Sequence, residues 1–187
     1  MNEKLKEIYD ACLGCRGCAL HATKHSCVFG CGNENAELMF IGEAPGEAED
    51  AAGVPFVGAA GQLLDRYLYA VDIAREDVYI ANILKCRPPK NRDPLPEEQD
   101  ACIRYLRAQV KAIKPKIIVC LGRISATKLI SPDLKITRDH GKWVERAGVH
   151  MTAVYHPAAL LRDPAKKGDM LDDMKSIAAK LRELKAE

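Results

Sequence analysis

IGEAPGEAEDAAGVPFVGAAGQLLD, residues 41 to 65, indicates the class of fold to which this chain belongs. The apolar run at 38–41 just before it predicts a buried parallel strand, which Gly42 ends. The segment 45–58 contains five glycines or prolines and predicts a loop. Apolar residues then recur at helical spacing over 63–71. A strand, a polar loop and a helix in this order form the first unit of an α/β domain, in which ligands bind at such loops.

The rest of the chain repeats this unit. Strands are predicted at 78–84, 116–122 and 149–155, and residues 143 and 144 are expected to pair with the last strand as a hairpin. Helices are predicted at 2–10, 97–113 and 123–130, and a closing helix is indicated by apolar residues at helical spacing over 171–184. The alternation predicts a three-layer α/β/α fold with a central four-stranded parallel sheet.

We expect residues 1–187 to form a single domain, with 1–35 as a cysteine-rich N-terminal segment. Four loops should meet at the carboxyl edge of the sheet: GEAPGE, NILKCRPP, LGRIS and YHPAALLRDP. Because three of them carry polar residues directly after the strand, this edge is the predicted active site.

The composition is ordinary for a globular protein, with 48% hydrophobic and 29% charged residues. The net charge of +2 excludes a strong overall attraction to polyanions, so any nucleic-acid binding must use local basic patches. The N-terminus is charged and lacks the apolar core of a signal peptide, and no apolar run is long enough for a membrane span. These features predict a cytoplasmic protein without membrane association.

The chain has eight cysteines, which in a reducing compartment indicate metal binding or reactive thiols more than disulfides. Cys15 and Cys18 have the C-x2-C spacing of metal ligands. Cys86 and Cys102 lie on either side of the RPPKNRDP loop. Four thiolates of this kind can hold zinc or a [4Fe-4S] cluster.

The spacing also allows a local ligand set. Cys12 extends the C-x2-C pattern, and Cys27 or Cys31 could complete a cluster within the N-terminal segment. Cys120 lies inside a predicted strand and is expected to be a small buried hydrophobic residue.

Four motifs in this order resemble uracil-DNA glycosylase family 4, the iron–sulfur type of bacteria and archaea: IGEAPGEAEDAAGVPFVGAAGQLLD, NILKCRPPKNRDPLPEEQDAC, PKIIVCLGRISA and YHPAALLRDP. The resemblance implies an enzyme that flips uracil out of DNA and hydrolyses its N-glycosidic bond, leaving an abasic site. It also implies a [4Fe-4S] cluster on Cys15, Cys18, Cys86 and Cys102. Cys12, Cys27 and Cys31 depart from the family pattern.

A related class uses a histidine on an inserted loop to form a covalent uracil adduct. The corresponding stretch after Cys86 is short here and has no histidine, so this chain is not expected to belong to that class. No lysine nucleophile is evident at the predicted site, which favours monofunctional hydrolysis over lyase chemistry.

Such chemistry needs a donor at uracil O2 and a carboxylate near the anomeric carbon. His156, after the last predicted parallel strand, would supply the donor. Glu43 matches the carboxylate of the family motif and would stabilise the sugar cation or position water. Ala44 and Gly46 would let the backbone approach the sugar and base closely.

Three further residues are expected to bind the base. The Asn82 amide can pair with uracil O4 and N3–H at once. Phe56 would stack on the flipped base. By family analogy, Glu49 would lie near uracil C5 and disfavour the methyl group of thymine.

Leu160, Leu161 and Arg162 resemble the intercalation loop of the family, in which apolar side chains fill the gap left by the flipped base. The local basic residues that could contact phosphates are Lys85, Arg87, Lys90, Arg92, Lys166 and Lys167.

The expected partner is uracil-containing DNA, single- or double-stranded, bound by a monomer. Two alternatives stay open from the residues alone. One is an iron–sulfur electron carrier or redox sensor, favoured by the dense N-terminal cysteines. The other is a DNA-binding module, or a glycosylase for another deaminated base such as hypoxanthine or xanthine.

Overall fold

The computed structural model describes residues 1–186, with a central sheet in the order β1-β3-β2-β4-β6-β5. The four inner strands are parallel, as predicted, and a short antiparallel strand adds to each edge. The predicted hairpin forms, since β5 pairs with β6. The strands are β1 (Cys31–Gly32), β2 (Leu38–Gly42), β3 (Tyr79–Asn82), β4 (Ile117–Leu121), β5 (Trp143–Arg146) and β6 (Val149–Val154).

Helices cover both faces of the sheet. They are α1 (Glu3–Leu13), α2 (Glu47–Ala52), α3 (Ala59–Ala70), α4 (Pro96–Ile113), α5 (Arg123–Leu129), α6 (Ile136–Asp139), α7 (Pro157–Arg162) and α8 (Lys167–Ala186). Within the part of the chain that the structure describes, none of these helices has the length and apolarity to cross a bilayer.

Two short helices, α2 and α7, lie where the sequence predicts loops. In α2, the glycines stand only at the borders: Gly46 precedes the helix, and Gly53 ends it with a φ of 72°. The six residues between them contain neither glycine nor proline, so the helix can form inside a segment that is rich in both overall. Similarly, Pro157 does not prevent α7, because it occupies the first turn, where its missing N–H has no helical partner to lose.

Alternate residues of the inner strands bury their side chains on opposite faces. Along β2, Met39 and Ile41 pack in one core with α1, α4 and α5, whereas Leu38 and Phe40 pack in the other with α3, α7 and α8. The sheet is therefore apolar on both faces, as buried parallel strands require. The predicted three-layer α/β/α fold is confirmed.

The register of the sheet brings the ends of the parallel strands to one edge. Gly42 lies opposite Asn82, and Leu121 lies opposite Val154. The residues that follow each strand therefore leave the sheet side by side.

Candidate active site

A cavity of about 550 Å³ opens at this edge of the sheet, within the size range of ligand-binding pockets. It brings together most of the residues predicted from the sequence. Those that line it are Glu43, Ala44, Glu49, Phe56, Asn82, His156 and Arg162.

Asn82 lies at the end of β3 and is 1% exposed. Its side-chain oxygen Oδ1 is buried and has no hydrogen-bond partner within the part of the chain that the structure describes. A buried polar atom without a partner is costly and rare in native proteins. Since the side chain lines the cavity, the amide is placed to pair with a ligand there.

Lys85 fixes the main chain beneath Asn82. Its Nζ donates to the Asn82 carbonyl at 2.9 Å and to Oε1 of Gln109 at 2.6 Å. With 1% of its surface exposed, Lys85 cannot reach DNA and is removed from the basic residues that could contact phosphates. The reason is the long-range pairing with Gln109, which itself donates to the Phe29 carbonyl at 3.0 Å.

Phe56 forms another wall of the cavity, with its ring centroid 5.7 Å from that of His156. Its φ of 54° lies in the left-handed region, a strained conformation that often marks a functional position. Gly42 makes room for it: a Cβ at Gly42 would lie 2.8 Å from Phe56 Cζ and would also collide with Asn82 Oδ1.

Glu49 holds the loop that carries Phe56. Its Oε1 accepts hydrogen bonds from the backbone N–H groups of Val57 at 3.0 Å and Gly58 at 2.9 Å. Because Gly58 precedes α3, these bonds fix the loop to the start of that helix.

His156 follows β6 by two residues and faces Gly122, where a Cβ would lie 2.8 Å from His156 Cβ. Nδ1 of His156 accepts a hydrogen bond from the Ala158 N–H at 3.1 Å. Burial, assisted by the charge of Arg162, lowers the pKa of His156 to about 4. The imidazole is therefore neutral near pH 7, and its proton must be on Nε2, which leaves Nε2–H as a donor.

Glu43 directly follows β2 and is partly buried. Burial raises the pKa of Glu43 to about 7; the neighbouring Asp93 also raises it, whereas Arg123 lowers it. Arg123 pairs with Asp93 at 2.8 Å, and both line the cavity.

Arg123 and Asp93 were missed from the sequence. Arg123 could have been found, since it comes right after β4 in the LGRIS loop, at the predicted edge. Asp93 lies in the proline-rich loop before α4, where its place in the sequence gives no indication that it faces Glu43.

The predicted intercalation loop forms α7 at the side of the cavity. Leu160 is 0% exposed and packs in the core against α3 and α8, so it is not placed to enter DNA, and the prediction for this residue is corrected. Leu161, 47% exposed, and the exposed Arg162 remain on the surface. The sequence could not show which of the two leucines is buried, because either could have faced the core.

The other basic residues that could contact phosphates lie on or near the surface. Arg92 lines the cavity and makes a bidentate pair with the buried Glu98, at 2.6 and 2.9 Å. Arg87 lies 3.4 Å from Glu47, and Lys166 lies 3.3 Å from Asp163. Lys90 and Lys167 are exposed.

The four cysteines of the distributed set, Cys15, Cys18, Cys86 and Cys102, line a second, smaller pocket between α1, the loop after β3 and α4. Two of their sulfurs accept backbone N–H groups: Gly17 donates to Cys15 at 3.4 Å, and Lys85 donates to Cys102 at 3.3 Å.

The remaining cysteines are placed differently. Cys12 also lines this pocket, whereas Cys27 does not. The sulfurs of Cys12 and Cys27 lie 3.2 Å apart. Cys31 lies in the edge strand β1, and Cys120 is buried in β4 as expected. Across residues 1–186, no three His, Cys, Asp or Glu side chains are close enough to bind a single metal ion.

Comparison with known proteins gives a consistent result. The family model for the uracil DNA glycosylase superfamily matches residues 29–182. A type-4 uracil-DNA glycosylase of Archaeoglobus fulgidus is 50% identical over 183 residues, which cover 94% of this chain and 92% of the relative. One of Thermotoga maritima is 44% identical, covering 80% and 79%. A type-5 uracil-DNA glycosylase of Pyrobaculum aerophilum is 34% identical, covering 69% and 64%.

Proposed function

Because this chain belongs to the uracil-DNA glycosylase superfamily, and within it to the type-4 enzymes, we propose that the cavity at the sheet edge holds a uracil rotated out of DNA. The protein is a hydrolase of N-glycosyl bonds that excises uracil in DNA repair. Water adds to C1′ of the deoxyribose, uracil leaves, and an abasic site remains. Rotation is necessary because the bond cannot be reached inside a stacked duplex.

Asn82 reads the base in this proposal. Uracil presents a donor at N3 and an acceptor at O4, which the amide oxygen and amide nitrogen of Asn82 match. Cytosine presents an amino donor at the position of O4 and would leave the Asn82 amide group without an acceptor. The observation that carries the proposal is the buried Oδ1, which has no hydrogen-bond partner among the described residues 1–186.

His156 stabilises the leaving uracil. As the bond breaks, negative charge moves onto the pyrimidine and reaches O2. The neutral imidazole, whose Nδ1 is occupied by the Ala158 N–H, directs its Nε2–H towards this oxygen.

Glu43 acts on the sugar side. The transition state resembles an oxocarbenium ion, so an ionised carboxylate near C1′ stabilises it and orients the attacking water. With a pKa raised to about 7, Glu43 is only partly ionised at neutral pH. The Arg123 charge favours the ionised form, and Asp93 opposes it.

Phe56 supplies the surface on which the base stacks, and Glu49 has two roles in the proposal. Its hydrogen bonds to the Val57 and Gly58 N–H groups hold the Phe56 loop in place. Glu49 also lines the cavity, and by family analogy it lies near C5 of the bound base in this proposal and disfavours the thymine methyl group. Ala44 lines the same cavity and allows a close approach of the backbone.

Leu161 and Arg162 lie beside the cavity and contact DNA. The exposed Leu161 fills the space left by the flipped base, and Arg162 meets the backbone. The DNA is single- or double-stranded, and the protein acts as a single-domain monomer in the cytoplasm.

Cys15, Cys18, Cys86 and Cys102 hold a [4Fe-4S] cluster. The donor set fits this group, because four thiols line one pocket and backbone N–H groups point at two of the sulfurs, a feature of iron–sulfur ligation. A multi-iron cluster also separates its ligands more widely than a single ion does. Its role is structural: it ties the N-terminal segment to the loop after β3.

Excision from defined oligonucleotides tests the proposal. Single- and double-stranded DNA carrying uracil, hypoxanthine or a thymine mismatch is incubated with the parent protein, His156→Ala and Glu43→Ala. We expect release of uracil by the parent and a large loss in both variants. Uracil release unaffected by either substitution would refute the site, and faster release of hypoxanthine would assign another base. An electron carrier, the less favoured alternative, would release no base.

A further inference from the structure

Two thiols outside the proposed cluster set lie in contact. Cys12, in the last turn of α1, is 2% exposed, and Cys27 is partly buried in the segment that precedes β1. Their sulfurs are 3.2 Å apart, although the residues are 15 positions apart in sequence. Neither uracil excision nor the four proposed cluster ligands account for this pair.

We propose that Cys12 and Cys27 are a modification site, where an intramolecular disulfide forms reversibly. A disulfide bond is about 2.05 Å long, so the two sulfurs need to approach by only about 1.2 Å. Cys31, the next cysteine after Cys27, is held in β1 opposite Ile80 and is not part of the pair.

Residues 25–28, called the strap here, are hydrogen-bonded to α2 beside the cavity and to the chain next to Cys86 in the proposed cluster site. The disulfide would join α1 to this strap. The N–H groups of His25 and Ser26 donate to the buried Asp50 carboxylate at 3.0 Å, and Asp50 belongs to α2 beside the cavity. The Val28 N–H donates to the Lys85 carbonyl at 2.8 Å, next to Cys86. The disulfide therefore closes a loop that contains Cys15 and Cys18 and fixes it to the strap.

The oxidant is a small-molecule disulfide of the glutathione type. The half-buried Cys27 sulfur attacks one sulfur of oxidised glutathione and releases one glutathione thiol. The Cys12 sulfur then displaces the second thiol from the mixed disulfide. The two cysteine protons and two electrons leave with two molecules of reduced glutathione, so the bond forms when oxidised glutathione accumulates and is lost when it is depleted.

Thiol counting after oxidation tests the proposal. The full-length protein and its Cys12→Ser, Cys27→Ser and Cys31→Ser variants are treated with oxidised glutathione without oxygen, alkylated in denaturant and weighed. The parent and Cys31→Ser, the matched control, should each lose two alkylatable thiols and carry no glutathione. Cys12→Ser should instead carry one glutathione on Cys27. Closing a 15-residue loop should also raise the Tm of the parent by about 6–12 °C.

Two results would overturn the proposal. The first is that the parent protein keeps all its alkylatable thiols, or that it carries a stable glutathione on Cys27 in the way expected of Cys12→Ser. The other is loss of iron in Cys12→Ser while Cys31→Ser keeps it, which would make Cys12 a cluster ligand. The thiol count and the iron content are both measured without uracil release. Failure of the disulfide proposal and failure of the glycosylase assignment are therefore distinguishable.

Discussion

Replacing Asn82 with alanine should separate the function of this side chain from its effect on stability. The variant loses both hydrogen bonds to the base and leaves uracil N3–H and O4 without their protein partners. At about 1–2 kcal/mol for each bond, the loss of transition-state stabilisation is about 2–4 kcal/mol, or roughly 30- to 1000-fold in kcat/KM. The free protein, by contrast, is relieved of a buried oxygen that has no partner, which offsets the lost packing.

The assay is single-turnover excision of uracil from an oligonucleotide, with Tm measured on the same preparations. Thr152→Val is the matched control. Among residues 1–186, Thr152 Oγ1 is the other buried side-chain nitrogen or oxygen atom that has no hydrogen-bond partner. Thr152 does not line the cavity. We expect Thr152→Val to keep full activity. The Tm of Asn82→Ala should remain within about 3 °C of the parent value.

The reasoning is refuted if Asn82→Ala excises uracil within threefold of the parent rate. It is equally refuted if activity and Tm fall together, because Asn82 would then support the fold and not the base.

The remaining predictions concern ionisation, space and the cluster. Because the raised pKa of Glu43 is about 7 in the free protein and its ionised form is the active one, kcat/KM should rise with pH through about 7; a flat profile between pH 6 and 8 would contradict this. Gly42→Ala should lower kcat/KM at least tenfold, because the added Cβ displaces the walls of the cavity. The control Gly168→Ala should leave kcat/KM unchanged, because a Cβ there meets nothing within 4 Å. Equal activities of the two variants would show that the close approach at Gly42 is unimportant. Cys86→Ala should lose bound iron, measured by metal analysis, while the buried Cys120→Ala keeps it; the reverse pattern would exclude the proposed ligand set.

The parts of the fold that follow from local pattern could be predicted. The β4 run is apolar at every position and is buried at every position, so its strand was evident. The edge strand β1 has only two residues and is defined by pairing with β3, which no local pattern reveals. Helix α2 was missed because its borders, and not its interior, carry the glycines.

The location of the site could be predicted, because the ends of parallel strands meet at one edge of the sheet. The roles of Glu43 and His156 came from the family resemblance, and Arg123, which also follows a strand, was not identified. Residues defined by long-range partners could not be predicted: Lys85 resembles a surface lysine until its contact with Gln109 is known. The pairing of Arg123 with Asp93 joins loops that are 30 residues apart.

The central claim is that one flipped uracil occupies the cavity between Phe56, Asn82 and His156. The most direct test is a crystal structure of the Glu43→Gln variant bound to uracil-containing DNA. We expect uracil N3 and O4 on the Asn82 amide, O2 within hydrogen-bond distance of His156 Nε2, and the ring against Phe56. A uracil that is ordered outside this cavity, or that contacts neither Asn82 nor His156, would contradict it.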